Sequence, residues 1–318
     1  MSDGKPLRLL AIDGGGIRGI VPARALAEIE KLAGRPVCEL FDLIAGTSTG
    51  GILALGLTLP GDSGGPRYSA VDLLGLYRDN GAAIFANSPG RRVATLGGLR
   101  RSRYAASGID EVLGRYFGDA KLSQALTEVM VPAYDIEQRN RYWFKSRKAK
   151  ADKSNDVLMA HAARATSAAP TYFPPARVRR ELRDRSLVDG GTFVNNPALA
   201  AIADAGDGHD APVMMLSLGT GELTDAIPYE KARKWGLAGW ARPILDVVFD
   251  GVSDEVHNTV RKLLGESDYL RLQCRLDRTS QRMDDVRPAN MRLLQARAED
   301  MLFTNRGHLE AFVARLKR

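Results

Sequence analysis

Two strand–turn–helix units follow one another near the start of the chain, and they restrict its fold more than any other feature of the sequence. The apolar runs Leu7–Ile12 and Phe41–Ala45 are each typical of a buried strand. Each run leads into a glycine-rich turn and then into an apolar helical segment, which ends at Gly34 in the first unit and at Pro60 in the second. Because consecutive units of this kind build a parallel sheet with helices on its faces, the sequence predicts a three-layer α/β/α fold with a central, mostly parallel sheet.

Later segments extend this pattern over the rest of the chain. We expect further strands at Val129–Asp135, Tyr142–Phe144 and Val213–Leu218, and helices at Val71–Asn80, Asp156–Ala168, Pro197–Ala205, Ile244–Leu264 and Ala289–Lys317. Residues 61–68 and 88–107 are rich in Gly, Pro, Ser and Arg and are predicted to form loops. A chain of 318 residues has the length of one large α/β domain, so we predict a single domain over 1–318, with a core over about 7–275 and a helical segment over about 289–318.

The second glycine turn carries a candidate nucleophile. Residues 46–50, Gly-Thr-Ser-Thr-Gly, fit the Gly-x-Ser-x-Gly nucleophile elbow, in which small neighbours allow a strained turn to expose the serine hydroxyl. The turn follows an apolar strand and opens an apolar helix, and that helix N-terminus favours the negative charge of an acyl transition state. The sequence therefore predicts Ser48 as the nucleophile of an acyl-transfer enzyme.

A serine nucleophile needs a base, and the histidines of this chain are poor candidates. The sequence has four of them, at positions 161, 209, 257 and 308. His161, before an Ala-rich helical segment, is the best candidate among them, but no orienting carboxylate lies near it in sequence. An alternative base is Asp189, which an apolar pair of residues brings to a Gly-Gly turn at a predicted strand end. Taken alone, the same aspartate is an ordinary turn residue. The sequence thus argues against a Ser-His-Asp triad and leaves Asp189 as the candidate base for Ser48.

The first glycine turn, residues 13–19, offers consecutive backbone N–H groups to an anion. With the sequence Asp-Gly-Gly-Gly-Ile-Arg-Gly between a strand and a helix, it suits a bound phosphate or the oxyanion of a tetrahedral intermediate. It also fits the Gly-x-Gly-x-x-Gly dinucleotide pattern, but the second strand lacks the terminal acidic residue that this pattern requires. Arg18 is either an added positive charge beside the turn or a surface arginine.

Together, three motifs of the chain resemble those of the patatin-like phospholipase family. They are Asp-Gly-Gly-Gly-Ile-Arg-Gly at 13–19, Gly-Thr-Ser-Thr-Gly at 46–50 and Asp-Gly-Gly at 189–191. Residues 165–175, 195–197 and 218–221 are also similar to bacterial members, so the resemblance covers about 7–275. It implies a patatin-like α/β/α fold and a phospholipase A-type hydrolase that has a Ser48–Asp189 dyad and needs no metal, cofactor or histidine base. It also implies an oxyanion hole formed by Gly14, Gly15 and Gly16, with Arg18 beside it.

The charge of the chain favours an anionic partner. The formal net charge is +7, and three basic segments lie at 91–103, 139–153 and 177–185. Since no nucleic-acid-binding motif is present, we expect membrane phospholipids rather than a nucleic acid polymer. The predicted docking region combines basic residues with Ile84, Phe85, Val93, Leu96 and Leu99. The apolar run near the start is too short for a signal peptide or a membrane span, so we expect a cytoplasmic protein that binds the inner membrane peripherally when active.

The motifs allow more than one substrate and more than one kind of regulation. The length of the chain and its Trp235–Gly236 and Trp240 region resemble compact bacterial anti-phage effectors that a cyclic dinucleotide activates. Two other functions are compatible with the motifs: a non-lipid esterase or thioesterase, and a non-catalytic anion or nucleotide sensor. The sequence sets neither the lipid headgroup, the acyl position nor the oligomeric state.

Overall fold

The computed structural model describes residues 5–88, 90, 94–95, 101–179, 184–206, 211–240, 243–276 and 281–318. Its strands are β1 Leu7–Ile12, β2 Leu43–Gly46, β3 Glu128–Asp135, β4 Asn140–Lys145, β5 Ala176–Val178, β6 Arg185–Asp189, β7 Val213–Leu218, β8 Glu222–Leu223, β9 Tyr269–Leu272 and β10 Arg275–Leu276. Its α-helices are α1 Ile20–Ala33, α2 Val37–Leu40, α3 Thr49–Leu57, α4 Ala70–Ile84, α5 Ala106–Phe117, α6 Ser146–Ala151, α7 Met159–Thr166, α8 Ala198–Ala205, α9 Tyr229–Ala232, α10 Leu237–Trp240, α11 Pro243–Asp268, α12 Pro288–Thr304 and α13 Arg306–Leu316.

A central sheet runs through the described part of the molecule in the order β5-β6-β3-β2-β1-β7-β9, with β4 paired to β3. The middle of the sheet is parallel, since β1 pairs with both β2 and β7, β2 pairs with β3, and β7 pairs with β9 in that sense. Antiparallel pairing is confined to the side where β4, β5 and β6 lie. The predicted mostly parallel sheet is therefore confirmed.

Helices cover both faces of this sheet because its central strands are apolar on both sides. Along β1, Leu10 and Ile12 join one hydrophobic cluster, while Leu9 and Ala11 join another. The first cluster lies under α1, α3, α4, α5, α12 and α13, and the second lies under α8 and α11. Alternation along one strand thus produces the three layers that were predicted.

The register of the sheet brings the ends of two strands, β2 and β6, close together. Strand β2 pairs with the first half of β3, ending near Ala45 opposite Met130. Strand β6 then pairs with the second half of the same strand, and its last residue, Asp189, lies opposite Ala133. The turn that follows β2 and the turn that follows β6 therefore meet beside β3.

Several elements differ from the sequence-based expectation. Helix α5 begins inside the predicted loop 88–107 and continues to Phe117, because Ile109, Val112 and Leu113 form a buried stripe at helical spacing. Strands β5 and β9 were not predicted, since segments of three or four residues carry too little periodicity. The predicted C-terminal helical segment is confirmed as two helices, α12 and α13, which join the cluster under α1.

None of the helices that the structure describes is long and apolar enough to cross a bilayer.

Candidate functional site

Ser48 lies at the sharp turn between β2 and α3. Its φ of 53° and ψ of −119° are a strained conformation for a residue with a side chain, and the surrounding hydrogen bonds hold it. The Ser48 N–H donates to Thr166 Oγ1 at 3.0 Å, and Thr47 Oγ1 donates to the Val194 carbonyl at 2.8 Å. Helix α3 begins directly behind the serine, so its positive N-terminal end faces the hydroxyl.

The glycines on either side of this turn are required by close backbone contacts. A Cβ on Gly46 would lie 2.1 Å from the Gly50 carbonyl oxygen, and a Cβ on Gly50 would lie 2.2 Å from the Ile12 carbonyl oxygen. Backbone atoms cannot move aside as a side chain can. The steric reason for expecting small residues in the elbow is therefore confirmed.

Asp189 lies beside Ser48 at the end of β6, as the register of the sheet dictates. Its carboxylate is 1% exposed, accepts the Gly191 N–H at 2.7 Å and lines the same pocket as Ser48. Burial raises the pKa of Asp189 to about 7, although the Ser48 hydroxyl and the hydrogen bond from Gly191 partly oppose this shift. Near neutral pH the Asp189 carboxyl is therefore partly protonated and partly ionised, and a pKa in this range suits a general base.

The first glycine turn presents two amides to the same space. Gly15 and Gly16 line the pocket that contains Ser48, and their N–H groups have no acceptor among the described residues. The Gly14 N–H, by contrast, donates to the Asn195 carbonyl at 3.1 Å. The Gly14 amide is thus engaged in holding the turn and is not available to an oxyanion as predicted, whereas the roles of the Gly15 and Gly16 amides stay predictions.

Arg18 faces away from Ser48. Its side chain is 2% exposed, so the surface-arginine alternative is wrong. Its Nε donates to the Gly15 carbonyl at 3.3 Å, while its guanidinium lines a second, polar pocket together with Asp250 and His257. Arg18 was predicted beside the oxyanion hole, and the structure places it behind the Gly15–Gly16 peptide, where it contacts the loop but not the pocket of Ser48.

Residues that are distant in sequence hold the glycine turn in place, and little in the sequence points to them. Thr220 Oγ1 donates to the Gly14 carbonyl at 2.7 Å. Arg271, in β9, binds the Asp13 carboxylate through two nitrogens at 2.9 and 2.6 Å. Thr220 belongs to a motif that was recognised only by resemblance, and no local pattern marks Arg271. The turn is thus held in place from β7 and β9 as well as from its own strand.

The pocket around Ser48 is apolar. Its walls include the aliphatic and aromatic side chains of residues 17, 52, 77, 84, 85, 109, 172, 173, 249 and 283. The prediction that Ile84 and Phe85 dock on a membrane is wrong, because Ile84 is 6% exposed and both residues line this pocket. Val93, Leu96 and Leu99 lie outside the described residues, as do Arg91, Arg92 and Arg100.

The basic segments also offer less free positive charge to an anionic partner than their sequence indicated. Arg103 binds Asp284 at 2.7 Å, Arg185 binds Asp135 at 2.9 Å, and Lys145 binds Asp204. These cations have structural partners, so they contribute little free positive charge to a surface for anions.

Histidines and metal ligands add no further catalytic group to the described part of the site. Neither His161, His257 nor His308 lines the pocket of Ser48. The ring of His257 instead contacts the Tyr269 hydroxyl at 3.1 Å. Across the described ranges, no group of three or more His, Cys, Asp or Glu side chains is placed to hold a metal ion.

Comparisons with known proteins identify related sequences and a related fold. A family model described as patatin-like phospholipase matches residues 10–202. Patatin-like protein 4 of Arabidopsis thaliana is 33% identical over 95% of this chain and 84% of that protein. Patatin-like protein 1 of Oryza sativa subsp. indica is 33% identical over 94% of this chain and 82% of that protein. Human GIVD cytosolic phospholipase A2, solved with the inhibitor methyl gamma-linolenyl fluorophosphonate, is similar in fold, with a TM-score of 0.51 at 13% identity over 100% of this chain and 60% of that one.

Proposed function

This chain belongs to the patatin-like phospholipase family and is a lipid acyl hydrolase, and we propose that it cleaves the acyl esters of membrane phospholipids with Ser48 as nucleophile and Asp189 as base. The observation that carries the proposal is that Ser48 and the buried carboxylate of Asp189 line one apolar pocket, where the serine hydroxyl is near enough to lower the pKa of the carboxyl. Fatty-acid chains are apolar, so the pocket provides the surroundings that an acyl group prefers to water.

In the proposed mechanism, the Asp189 carboxylate accepts the proton of the Ser48 hydroxyl while Oγ attacks the ester carbonyl carbon. The carbonyl oxygen becomes an oxyanion and accepts hydrogen bonds from the Gly15 and Gly16 N–H groups. The intermediate then collapses to the acyl-enzyme, and the leaving lysophospholipid oxygen takes the proton from Asp189.

Deacylation repeats these steps with water. The Asp189 carboxylate accepts a proton from a water molecule, whose oxygen attacks the acyl-enzyme carbonyl carbon. The second intermediate collapses, the proton returns to Ser48 Oγ and a fatty acid leaves. In this mechanism one carboxylate in the pocket of Ser48 serves both half-reactions, so no histidine is needed.

The proposal is tested by measuring fatty-acid release from phospholipid vesicles together with labelling by a fluorophosphonate, which reacts with activated serines. We expect the wild-type protein to release fatty acid and to gain one label on the peptide that contains Ser48. Ser48→Ala should do neither, while Ser167→Ala, at another serine that lines the pocket, should keep the label. Equal release by the Ser48→Ala variant would refute the mechanism. Release from soluble thioesters or short esters but from no phospholipid would favour a non-lipid esterase.

The raised pKa of Asp189 predicts a pH dependence. The base is active when ionised, so kcat/KM for a soluble ester should rise about tenfold per pH unit below pH 7, reach half its maximum near pH 7 and level off above it. The pKa of Asp250, in the second pocket, is also raised by burial, to about 6. Asp250→Asn serves as the control and should leave the midpoint unchanged. A midpoint near pH 4 would show that the base is not a buried carboxyl.

Activation by a cyclic dinucleotide, and the anti-phage role that it implies, stay predictions that rest on resemblance. Repeating the vesicle assay with a panel of cyclic dinucleotides tests both. A dependence on one of them would make the protein a signalling effector, and independence would make it a constitutive lipase. We also propose that the protein works at the cytoplasmic face of the inner membrane, where its substrate lies.

A further inference from the structure

Exposed apolar side chains concentrate in one short stretch of the chain. Of the thirteen large apolar side chains that are exposed in the described residues, seven lie between positions 227 and 248, so they are concentrated in one segment of the sequence. They are Ile227, Tyr229, Leu237, Trp240, Ile244, Val247 and Val248, and we call them the apolar patch. Leu237 is 94% exposed, which has no explanation in the packing of the fold itself.

Helix α11 connects the apolar patch to the pocket of Ser48. Phe249 is 5% exposed and lines that pocket, and its ring would lie 3.2 Å from a Cβ placed on Gly191. At 100° per residue, Ile244 and Val247 lie on the opposite face of the same helix, and they are 43% and 46% exposed. One helix therefore closes the pocket on its inner face and exposes apolar side chains on its outer face.

Aromatic and basic residues accompany the apolar patch. The rings of Trp235 and Trp240 meet edge to face at 5.2 Å, and Lys231 Nζ lies 5.8 Å from the centre of the Trp235 ring. Between 229 and 240 the sequence has three basic residues and one acidic residue, Glu230, which binds Arg233 at 2.9 Å. Within this segment the positive charge of Lys231 and Lys234 is left, and the first turn of α11 adds the half-buried Asp246. Tryptophan, apolar side chains and lysine together are typical of segments that lie in the interface of a bilayer.

We propose that α9, α10 and the first turns of α11 dock this protein on an anionic lipid bilayer. The apolar patch enters the boundary between headgroups and acyl chains, while Lys231 and Lys234 contact anionic headgroups. The bilayer then lies against the helix that closes the pocket, so a phospholipid reaches Ser48 without passing through water. The purpose of the docking rests on the proposed function, but the docking itself is measured without hydrolysis.

The first test measures vesicle binding in a Ser48→Ala background, so that no lipid is consumed. Cosedimentation uses vesicles of phosphatidylglycerol and phosphatidylethanolamine, with phosphatidylcholine alone for comparison. We expect Leu237→Asp with Ile244→Asp to weaken binding to the anionic vesicles at least about tenfold, because each change replaces an apolar side chain that enters the bilayer by a negatively charged one. The matched control is Phe303→Asp on α12, since Phe303 is 84% exposed but lies outside the patch. Its binding should be unchanged.

The second test uses the active enzyme with two substrates. Leu237→Asp with Ile244→Asp should lower hydrolysis of vesicle phospholipid in proportion to binding and leave hydrolysis of a soluble short-chain ester unchanged. Undiminished vesicle binding by this double variant would overturn the docking proposal, and so would a change from dimer to monomer with vesicle binding intact, which would assign the patch to a second copy of the chain. Normal docking without hydrolysis of any ester would instead refute the proposed function alone. If the double variant does not fold, Leu237→Asp by itself carries the test, because that side chain is almost fully exposed.

Discussion

Asp189→Asn is expected to lower acyl-ester hydrolysis by on the order of a thousandfold or more, while the protein keeps its fold. Asparagine has the shape of aspartate, and its side-chain oxygen can still accept the Gly191 N–H. It cannot accept the proton of Ser48, so the hydroxyl remains a weak nucleophile. The measurement is kcat for a soluble ester at about pH 8, where the wild-type carboxylate is ionised. More than a few per cent residual activity would mean that another group is the base.

The same variant should be more stable than the wild type at high pH. Because burial raises the pKa of Asp189 to about 7 from an ordinary value of 3.8, the folded protein binds this proton more tightly than the unfolded chain does. The contribution of the carboxyl to the free energy of unfolding is therefore largest below about pH 4, falls as pH rises to about 7 and stays low above that. A shift of about three units corresponds to about 4 kcal/mol, and the asparagine side chain does not carry this dependence.

Thermal unfolding at two pH values measures this effect. The Tm of Asp189→Asn should exceed that of the wild type at about pH 8, and the difference should nearly vanish at about pH 4. Ser48→Ala is the matched control, since it also abolishes hydrolysis but keeps the buried carboxyl, and its Tm should fall with rising pH at least as much as that of the wild type because the hydroxyl that lowers the pKa of Asp189 is gone. A difference in Tm that is the same at both pH values would contradict the raised pKa.

Gly46→Ala is expected to destabilise the protein by several kcal/mol, on the order of 4, and to abolish activity. The added Cβ would lie 2.1 Å from the Gly50 carbonyl oxygen, and a real Cβ cannot occupy that position without moving the nucleophile turn. The displaced turn would no longer hold Ser48 against Asp189. The measurements are urea unfolding and hydrolysis of a soluble ester by the fraction that remains folded.

Gly114→Ala provides the contrast. Gly114 lies inside α5, is exposed, and has open space where its Cβ would lie. Alanine there should raise the free energy of unfolding by about 0.5–1 kcal/mol, because it restricts the unfolded chain and favours the helix. If the two substitutions changed stability equally, the close packing of the nucleophile turn would be disproved.

The sequence predicted those parts of the site that local chemistry determines. Glycines at 13–19 and 46–50 mark turns that follow buried strands, and the turns follow adjacent strands in the structure. The contact between Ser48 and Asp189 was inferred from motifs, but its geometrical cause is the shared edge of β3, which no local pattern reveals.

Long-range contacts, and the choice between a side chain that lines a pocket and one that faces solvent, could not be predicted from the sequence for physical reasons. Arg271 binds Asp13 from a distant strand, and a single charged residue in a short strand leaves no periodic signal. Ile84 and Phe85 were assigned to a membrane surface because an apolar side chain that lines a pocket has the same sequence pattern as one that faces solvent. Gly14 shows the same limit, since only the structure reveals that its amide is already engaged.

The residues that hold the glycine turn in place are synthesised after the nucleophile, and this order has a consequence for the nascent chain. The nucleophile is made early in the chain, its base follows 141 residues later (189 minus 48), and Arg271, which fixes Asp13 and the start of the glycine turn, emerges later still. A ribosome adds about 5–20 residues per second, so a nascent chain carries its serine for many seconds before the base and the brace exist. We therefore expect a chain that is released before Arg271 has been made to be harmless to the membranes around it, because lipolysis requires the serine, its base and this brace to be folded together.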